Sequence, residues 1–292
     1  MKFGINTFLF TSPFTTKDIS LFPTFKAWGF DSVEIALEDA SHINAKTIRQ
    51  ALDDNGLICN TICAALGPGR DLRGSPRDQE MSLKYLSEVM EIMPLLGCKL
   101  LAGPLYSSVG RAEFVSKEEY KLQWELVVKN LGKLADHAVQ AGLKIAIEPL
   151  NRYETDFINT SAQAMQMLHD VNSRSLYVHL DTFHMNLEEK DPAQAILNVG
   201  DKLALLHASG SDRGTPGGDQ INWDRIFYAL NTTGYAGDVV IESFTPEVKI
   251  IAKAASIWRK IEPSVQTIAV EGLKFLKKCR SQGLVPMGLL QK

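Results

Sequence analysis

Asp181 and His184 stand three residues apart in the stretch LYVHLDTFHMNLEE, which runs from Leu176 to Glu189. An apolar run ends at Leu180 and delivers a carboxylate at its tip, with an imidazole on the following turn. That is a fitting arrangement for a site that binds a metal and a substrate together. The same event recurs along the chain: strand-like runs end in Glu148 (LKIAIE), His207 (LALLH) and Glu242 (DVVIE). Three carboxylates and one imidazole neutralise a divalent cation and leave one net negative charge. A mostly oxygen donor set with a single nitrogen favours Mn²⁺, with Co²⁺ or Mg²⁺ as alternatives, over a thiolate-bound structural zinc.

Four protein ligands leave two octahedral positions open, which a hydroxy-ketone fills with two adjacent oxygens. Such binding polarises the carbonyl and stabilises the enediolate formed when the neighbouring carbon loses its proton. The proton needs a base, and epimerisation needs a second acid/base on the opposite face. Glu148 and Glu242, on separated strands, are the pair expected to flank that carbon. Glu154, His184 and Arg213 lie just beyond the strand tips and suit the gripping of substrate oxygens. Each also has a plainer reading: Asp181 as a helix cap, Glu154 and Arg213 as surface charges, His184 as a packed loop residue. His179 shares the strand face of Asp181, which leaves ligation and simple barrel lining both open. His137 and His169 fall on helices, and His42 in a loop. Gly217–Gly218 lacks the Gly-Lys-Ser/Thr of a phosphate loop.

The elements that must position these groups alternate regularly. Strands are expected at Phe3–Thr7, Ser32–Ala36, Leu57–Ala64, Lys99–Ala102, Leu143–Glu148, Leu176–Asp181, Lys202–His207 and Asp238–Glu242. Helical patterns lie between them: Thr16–Trp28, Asn44–Asn55, Arg77–Leu96, Ser116–Ala141, Thr160–Val171, Pro192–Val199 and Trp223–Leu230. Pro94 is expected to end or kink its helix, and Leu122, Leu126, Leu131 and Leu134 to mark one helix face. A helical tail is broken around Glu262 and Pro263. Eight strand–helix units without linkers imply an α/β fold, a (β/α)8 TIM barrel formed as a single domain over residues 1–292. An open doubly wound sheet competes, without the Gly-x-Gly-x-x-Gly turn that often marks it.

Composition narrows the function. The 292 residues are 45% hydrophobic and 22% charged, the make-up of a soluble globular protein. A formal net charge of −3 opposes general nucleic-acid binding, and no apolar run approaches the roughly 20 residues of a membrane span. The start runs into a strand without a signal-peptide cleavage region. Cys59, Cys63, Cys98 and Cys279 form no zinc-binding pair and read as buried free thiols, so a reducing, cytoplasmic location is expected.

Four blocks in order carry a family resemblance: Glu148-Pro-Leu-Asn-Arg-Tyr-Glu154, Asp181-Thr-Phe-His184-Met-Asn, His207 with Arg213 six later, and Val-Val-Ile-Glu242. With Gly29-Phe-Asp-Ser-Val-Glu34 and Ile257-Trp-Arg259, they resemble the D-tagatose/D-allulose (psicose) ketose 3-epimerases of the xylose-isomerase-like barrel superfamily. The resemblance covers most of the chain. It implies metal binding by Glu148, Asp181, His207 and Glu242, an acid/base pair in the two Glu, and oxygen binding by Glu154, His184 and Arg213. It also implies a free sugar as substrate and a homodimer or homotetramer. Two departures stand out: Gly210 where the family often has Glu, and Ser108-Val109-Gly110 where many members have an aromatic pair. Both bear on the preferred ketose. Rival readings are another sugar or cyclitol isomerase, dehydratase or keto-glycoside epimerase or lyase on the same barrel. Further off stand a multi-zinc DNA-repair endonuclease, which needs more histidines, and a silent sugar-binding protein.

Overall fold

The computed structural model describes residues 1–282, and within them eight parallel strands close into a barrel in the order β1 to β8. The strands are β1 (Lys2–Asn6), β2 (Ser32–Ala36), β3 (Thr61–Cys63), β4 (Leu100–Gly103), β5 (Lys144–Ile147), β6 (Leu176–Asp181), β7 (Leu203–Ala208) and β8 (Asp238–Ile241). The helices that precede the last strand are α1 (Phe22–Trp28), α2 (Ala45–Asp54), α3 (Pro76–Leu96), α4 (Lys117–Ala141), α5 (Ser161–Val171), α6 (Thr182–Glu188), α7 (Pro192–Val199) and α8 (Trp223–Thr232). After β8 come α9 (Lys249–Ala254) and α10 (Val265–Gln282). The expected alternation is therefore present. No described helix is long and apolar enough to cross a membrane, and the four cysteines are free and buried.

Local chemistry explains most boundaries. Ser75 and Asp78 form a reciprocal capping box at the start of α3, and Gly97 ends that helix in a left-handed conformation (φ 73°). Pro94 does not end its helix, which continues to Leu96. A proline in the last turn forfeits one backbone bond shortly before the helix would end anyway. Pro23 does break the expected Thr16–Trp28 helix, whose first six residues wind as a 3-10 turn before α1 begins. The third strand is shorter than expected, because residues 57–60 touch β2 only through the bridge between Ile58 and Ser32. On α4, Leu131 and Leu134 are buried while Leu122 is exposed, so Leu122 lies off the packed face.

Inside the barrel, side chains alternate by the strand period of two and stack in layers. Leu100, Ala102, Ala146, Leu205 and Val240 form an apolar layer. Two residues further along their strands, Ala146, Leu205 and Val240 give way to Glu148, His207 and Glu242. The site thus rests on a dry floor.

Gly103, the last residue of β4, has φ 133°, and a Cβ there would lie 2.1 Å from the Ala64 carbonyl oxygen. Gly103→Ala is expected to lower stability by about 2–4 kcal/mol, from backbone strain and overpacking together. Denaturant unfolding of the two proteins measures it.

Candidate metal centre and active site

The barrel brings the four strand-end groups together. One donor atom from each of Glu148, Asp181, His207 and Glu242 lies within 4.8 Å of the others, and all four residues are buried. His207 is gripped from both sides. Its Nε2 stands 2.7 Å from Glu34 Oε1, and its Nδ1 stands 3.3 Å from Glu242 Oε2 without a hydrogen-bond partner. The tautomer that suits this network donates from Nε2 to Glu34, which leaves the Nδ1 lone pair directed at the cluster. Asn6, at the end of β1, donates through Nδ2 to Glu34 Oε1 at 2.5 Å and reaches Glu242 Oε1 at 3.5 Å.

Arg213 is buried rather than a surface charge, at φ 66° in the loop after β7. Its Nη1 donates to Asp181 Oδ2 at 2.5 Å and to Glu242 Oε2 at 3.1 Å, while Nη2 stands 2.9 Å from His184 Nε2. The rings of Phe183 and Phe244 lie 4.1 and 4.9 Å from its guanidinium carbon. Two loops are tied beneath it. Thr182 Oγ1 donates to the Ser209 carbonyl at 2.7 Å and accepts the Ser209 N–H at 2.8 Å. His184 lies on α6, where Asp181 also caps the helix by accepting the Phe183 N–H. Asp181 thus caps the helix with one carboxylate oxygen and meets Arg213 with the other.

The Asn151 N–H donates to His184 Nδ1 at 3.0 Å, and the Asn151 side chain donates to Glu154 Oε1 at 2.8 Å. Glu154 is half-buried, and so placed beside His184 through one amide. Gly110, in the stretch that departs from the family pattern, donates its N–H to the Glu154 carbonyl at 2.8 Å. Gly210 packs against the Gly214 carbonyl, 3.1 Å from where a Cβ would stand. His169 is exposed, while His179 is fully buried with neither ring nitrogen hydrogen-bonded.

Electrostatics separate the two central glutamates. Burial, reinforced by the Glu242 charge, pushes the Glu148 carboxyl well above the usual range. Burial acts on Glu242 in the same sense, yet His207 and Arg213 hold that carboxyl below its ordinary value. Burial disfavours charge on His207, but Glu34 and Glu242 raise its pKa well above that of a free imidazole. His184 is driven far down by burial and by Arg213. Glu148 and Asp181, whose ionisation burial opposes, and an imidazole nitrogen without a partner are what a bound divalent cation would relieve. The residues fit such an ion.

Glu34 and Asn151 were not expected as site residues. A glutamate inside the otherwise apolar strand SVEIA is the signal that marks Glu34, since a buried acid needs a partner. A carboxylate behind a ligating histidine fixes its tautomer and raises its basicity. Glu34→Gln is expected to weaken divalent-cation binding by roughly 10- to 100-fold, as read by calorimetric titration of the cation-free protein.

The xylose isomerase-like TIM barrel model matches residues 22–279. A probable ketose 3-epimerase of Synechocystis sp. is 35% identical, covering 95% of this chain and 96% of its own. A ketose 3-epimerase of Arthrobacter globiformis is 30% identical over 95% and 96% of the two chains. The crystal structure of D-allulose 3-epimerase from Methylomonas sp. in complex with D-allulose superposes with a TM-score of 0.88 at 26% identity, covering 95% of this chain and 96% of that one. With its strand-end carboxylates and imidazole gathered at one mouth of the barrel, this chain belongs to the xylose isomerase-like TIM barrel family and, within it, to the ketose 3-epimerases.

Proposed function

We propose that the chain is a divalent-metal-dependent isomerase that inverts C3 of free ketoses, such as D-fructose/D-allulose, D-tagatose/D-sorbose or L-ribulose/L-xylulose. The observation that carries this reading is the placement of Glu148 and Glu242 on strands three steps apart in the ring, both facing one four-residue donor cluster. A cation held by Glu148, Asp181, His207 and Glu242, with Mn²⁺ favoured by the oxygen-rich set, would polarise the ketone and offset charge developing on its oxygen.

The protein's own groups do the rest. One glutamate removes the C3 proton from its face and the other returns a proton to the opposite face, giving the epimer through a cis-enediolate. The roles exchange for the reverse reaction. His184 and Arg213 hold the oxygens near the ketone. With Nδ1 accepting the Asn151 N–H, the neutral His184 ring carries its proton on Nε2, so Nε2 and Arg213 Nη2, 2.9 Å apart, are both donors with no hydrogen bond between them. Two donors converge on one point, and a substrate oxygen satisfies both. Glu154 completes the grip. The family supports a homodimer or homotetramer, and the free thiols support a reducing cytoplasm.

Chelation is expected to abolish epimerisation, with Mn²⁺ or Co²⁺ restoring it, and to lower the melting temperature, since a ligand bound only by the native state stabilises it. Full turnover in rigorously cation-free protein would refute the metal dependence. Arg213→Ala is expected to cut kcat/KM by about 10- to 100-fold, the worth of a charge-assisted hydrogen bond or two, with cation content intact. Loss of the cation would instead make Arg213 a support of the metal centre.

The two-base assignment is tested in D2O with a panel of ketoses. Glu148→Gln and Glu242→Gln keep shape and one coordinating oxygen but lose the base. Each is expected to slow epimerisation by at least about 100-fold. A single variant still exchanges the C3 proton of the epimer that presents it to the surviving glutamate, and not of the other. Interconversion at the parent rate by either cation-loaded variant defeats the assignment.

A further inference from the structure

His179 is the one imidazole in the barrel interior that the proposed reaction does not use. It is fully buried on β6, and both ring nitrogens lack a hydrogen-bond partner. A buried imidazole left without partners is costly unless something meets it. Its Nδ1 lies 3.5 Å from Glu148 Oε2, and its ring meets that of His207 edge-on with centroids 4.0 Å apart.

Strand register accounts for the meeting. Ile147 pairs with Val178, so Glu148, the next residue, comes level with His179. Toward β7 the pairing shifts between Val178 and His179, which sets His179 opposite Leu205 and Asp181 opposite His207. His179 therefore sits one layer below Asp181, beside Glu148 and under His207. One donor atom from each of Glu148, His179 and His207 lies within 4.8 Å of the other two.

We propose that Glu148, His179 and His207 form a second, inner cation position, one that selects zinc over manganese. The proposal rests on the reading of the outer cluster as a metal centre, because the two positions share Glu148 and His207. Two imidazoles and one carboxylate are a typical three-ligand zinc set. Donors about 2.0–2.1 Å from a tetrahedral ion stand about 3.4 Å apart, close to the 3.5 Å between His179 and Glu148. The outer set offers three carboxylates and one nitrogen, which suits harder ions. Sharing two ligands makes the positions mutually exclusive. Zinc in the inner position withdraws Glu148 and His207 from the outer one, so His179 decides which metal the protein keeps.

The test uses the cation-free full chain and its His179→Leu variant, titrated with Zn²⁺ and with Mn²⁺ by calorimetry. The expected result is a Zn²⁺ affinity at least about 10-fold weaker in the variant, with Mn²⁺ affinity changed by less than about 3-fold. X-ray absorption at the zinc edge of the unmodified protein is expected to count two imidazoles in the first shell, a readout independent of the variant's folding. One imidazole, or an equal loss of both metals in the variant, overturns the inner position and leaves the outer one standing. Failure of the unmodified protein to bind either metal overturns both.

Discussion

Four buried carboxylates, Glu34, Glu148, Asp181 and Glu242, share the mouth of the barrel, the last three with donor atoms within 4.8 Å of one another. Arg213 and His207 pair with them, and buried Asn6 donates to Glu34. With His207 neutral, as a ligand must be, the ionised cluster keeps an excess of three negative charges, of which one divalent cation would offset two. Burying such charge is tolerable only where each oxygen has a partner in fixed geometry. Closure of the sheet fixes that geometry: each carboxylate belongs to or directly follows a strand hydrogen-bonded to neighbours on both sides. No loop could hold several like charges so close. The apolar layer beneath keeps water out and strengthens every interaction above it.

The loops that rim the mouth are held by a second buried network. Arg73, in the loop after β3, is buried and paired with Asp156, while its Nε donates to Ser107 Oγ at 2.9 Å and its Nη1 to Gln123 Oε1 at 2.9 Å. Arg111 reaches Asp71 at 2.9 Å in the same cluster. The β3, β4 and β5 loops are thereby joined, and the joint ends two residues from Glu154. Bridges between Leu66 and Ser108 and between Arg111 and Thr155 extend the same connection through the backbone. The Ser108-Val109-Gly110 stretch thus ties two loops together, with Val109 donating to the Leu66 carbonyl and Gly110 to that of Glu154, each at 2.8 Å.

The alternation of strands and helices was legible because periodicity, caps and glycine stops act locally. The four strand-end donors were legible for a related reason: a charged residue closing an apolar run is conspicuous wherever it sits. Relations across the barrel were not. Glu34 meets His207 over 173 positions, and Asn6 meets Glu242 over 236. Nothing in either local stretch states the partner. His179 remained open because strand face alone does not tell a lining residue from a ligand; its nearness to Glu148 comes from the pairing of Ile147 with Val178 across the sheet. For Arg213 the sequence left a surface charge open beside a substrate contact, and the two carboxylates around its Nη1 explain its burial. Pro94 and Leu122 misled because a helix end and an exposed face each tolerate what a helix interior would not.

Aromatic rings cover Arg213 at the edge of this electrostatic core. Phe183 and Phe244 flank the guanidinium, and Phe8 lies 6.4 Å from Phe244. Phe244 belongs to a small apolar cluster with Ala252 and Ile257, packed by Phe8 and Ile261 and separate from the main core. Deprotonating a carbon beside a ketone moves negative charge onto the ketone oxygen. The stabilisation of that charge grows as water is excluded, provided the donors are already in place. In the reaction proposed above, strand ends and Asn151 would place the donors, and the rings would shield the Arg213 guanidinium. Rings and ion pairs act together: without the carboxylates the guanidinium would be buried uncompensated, and without the rings it would lie open to water.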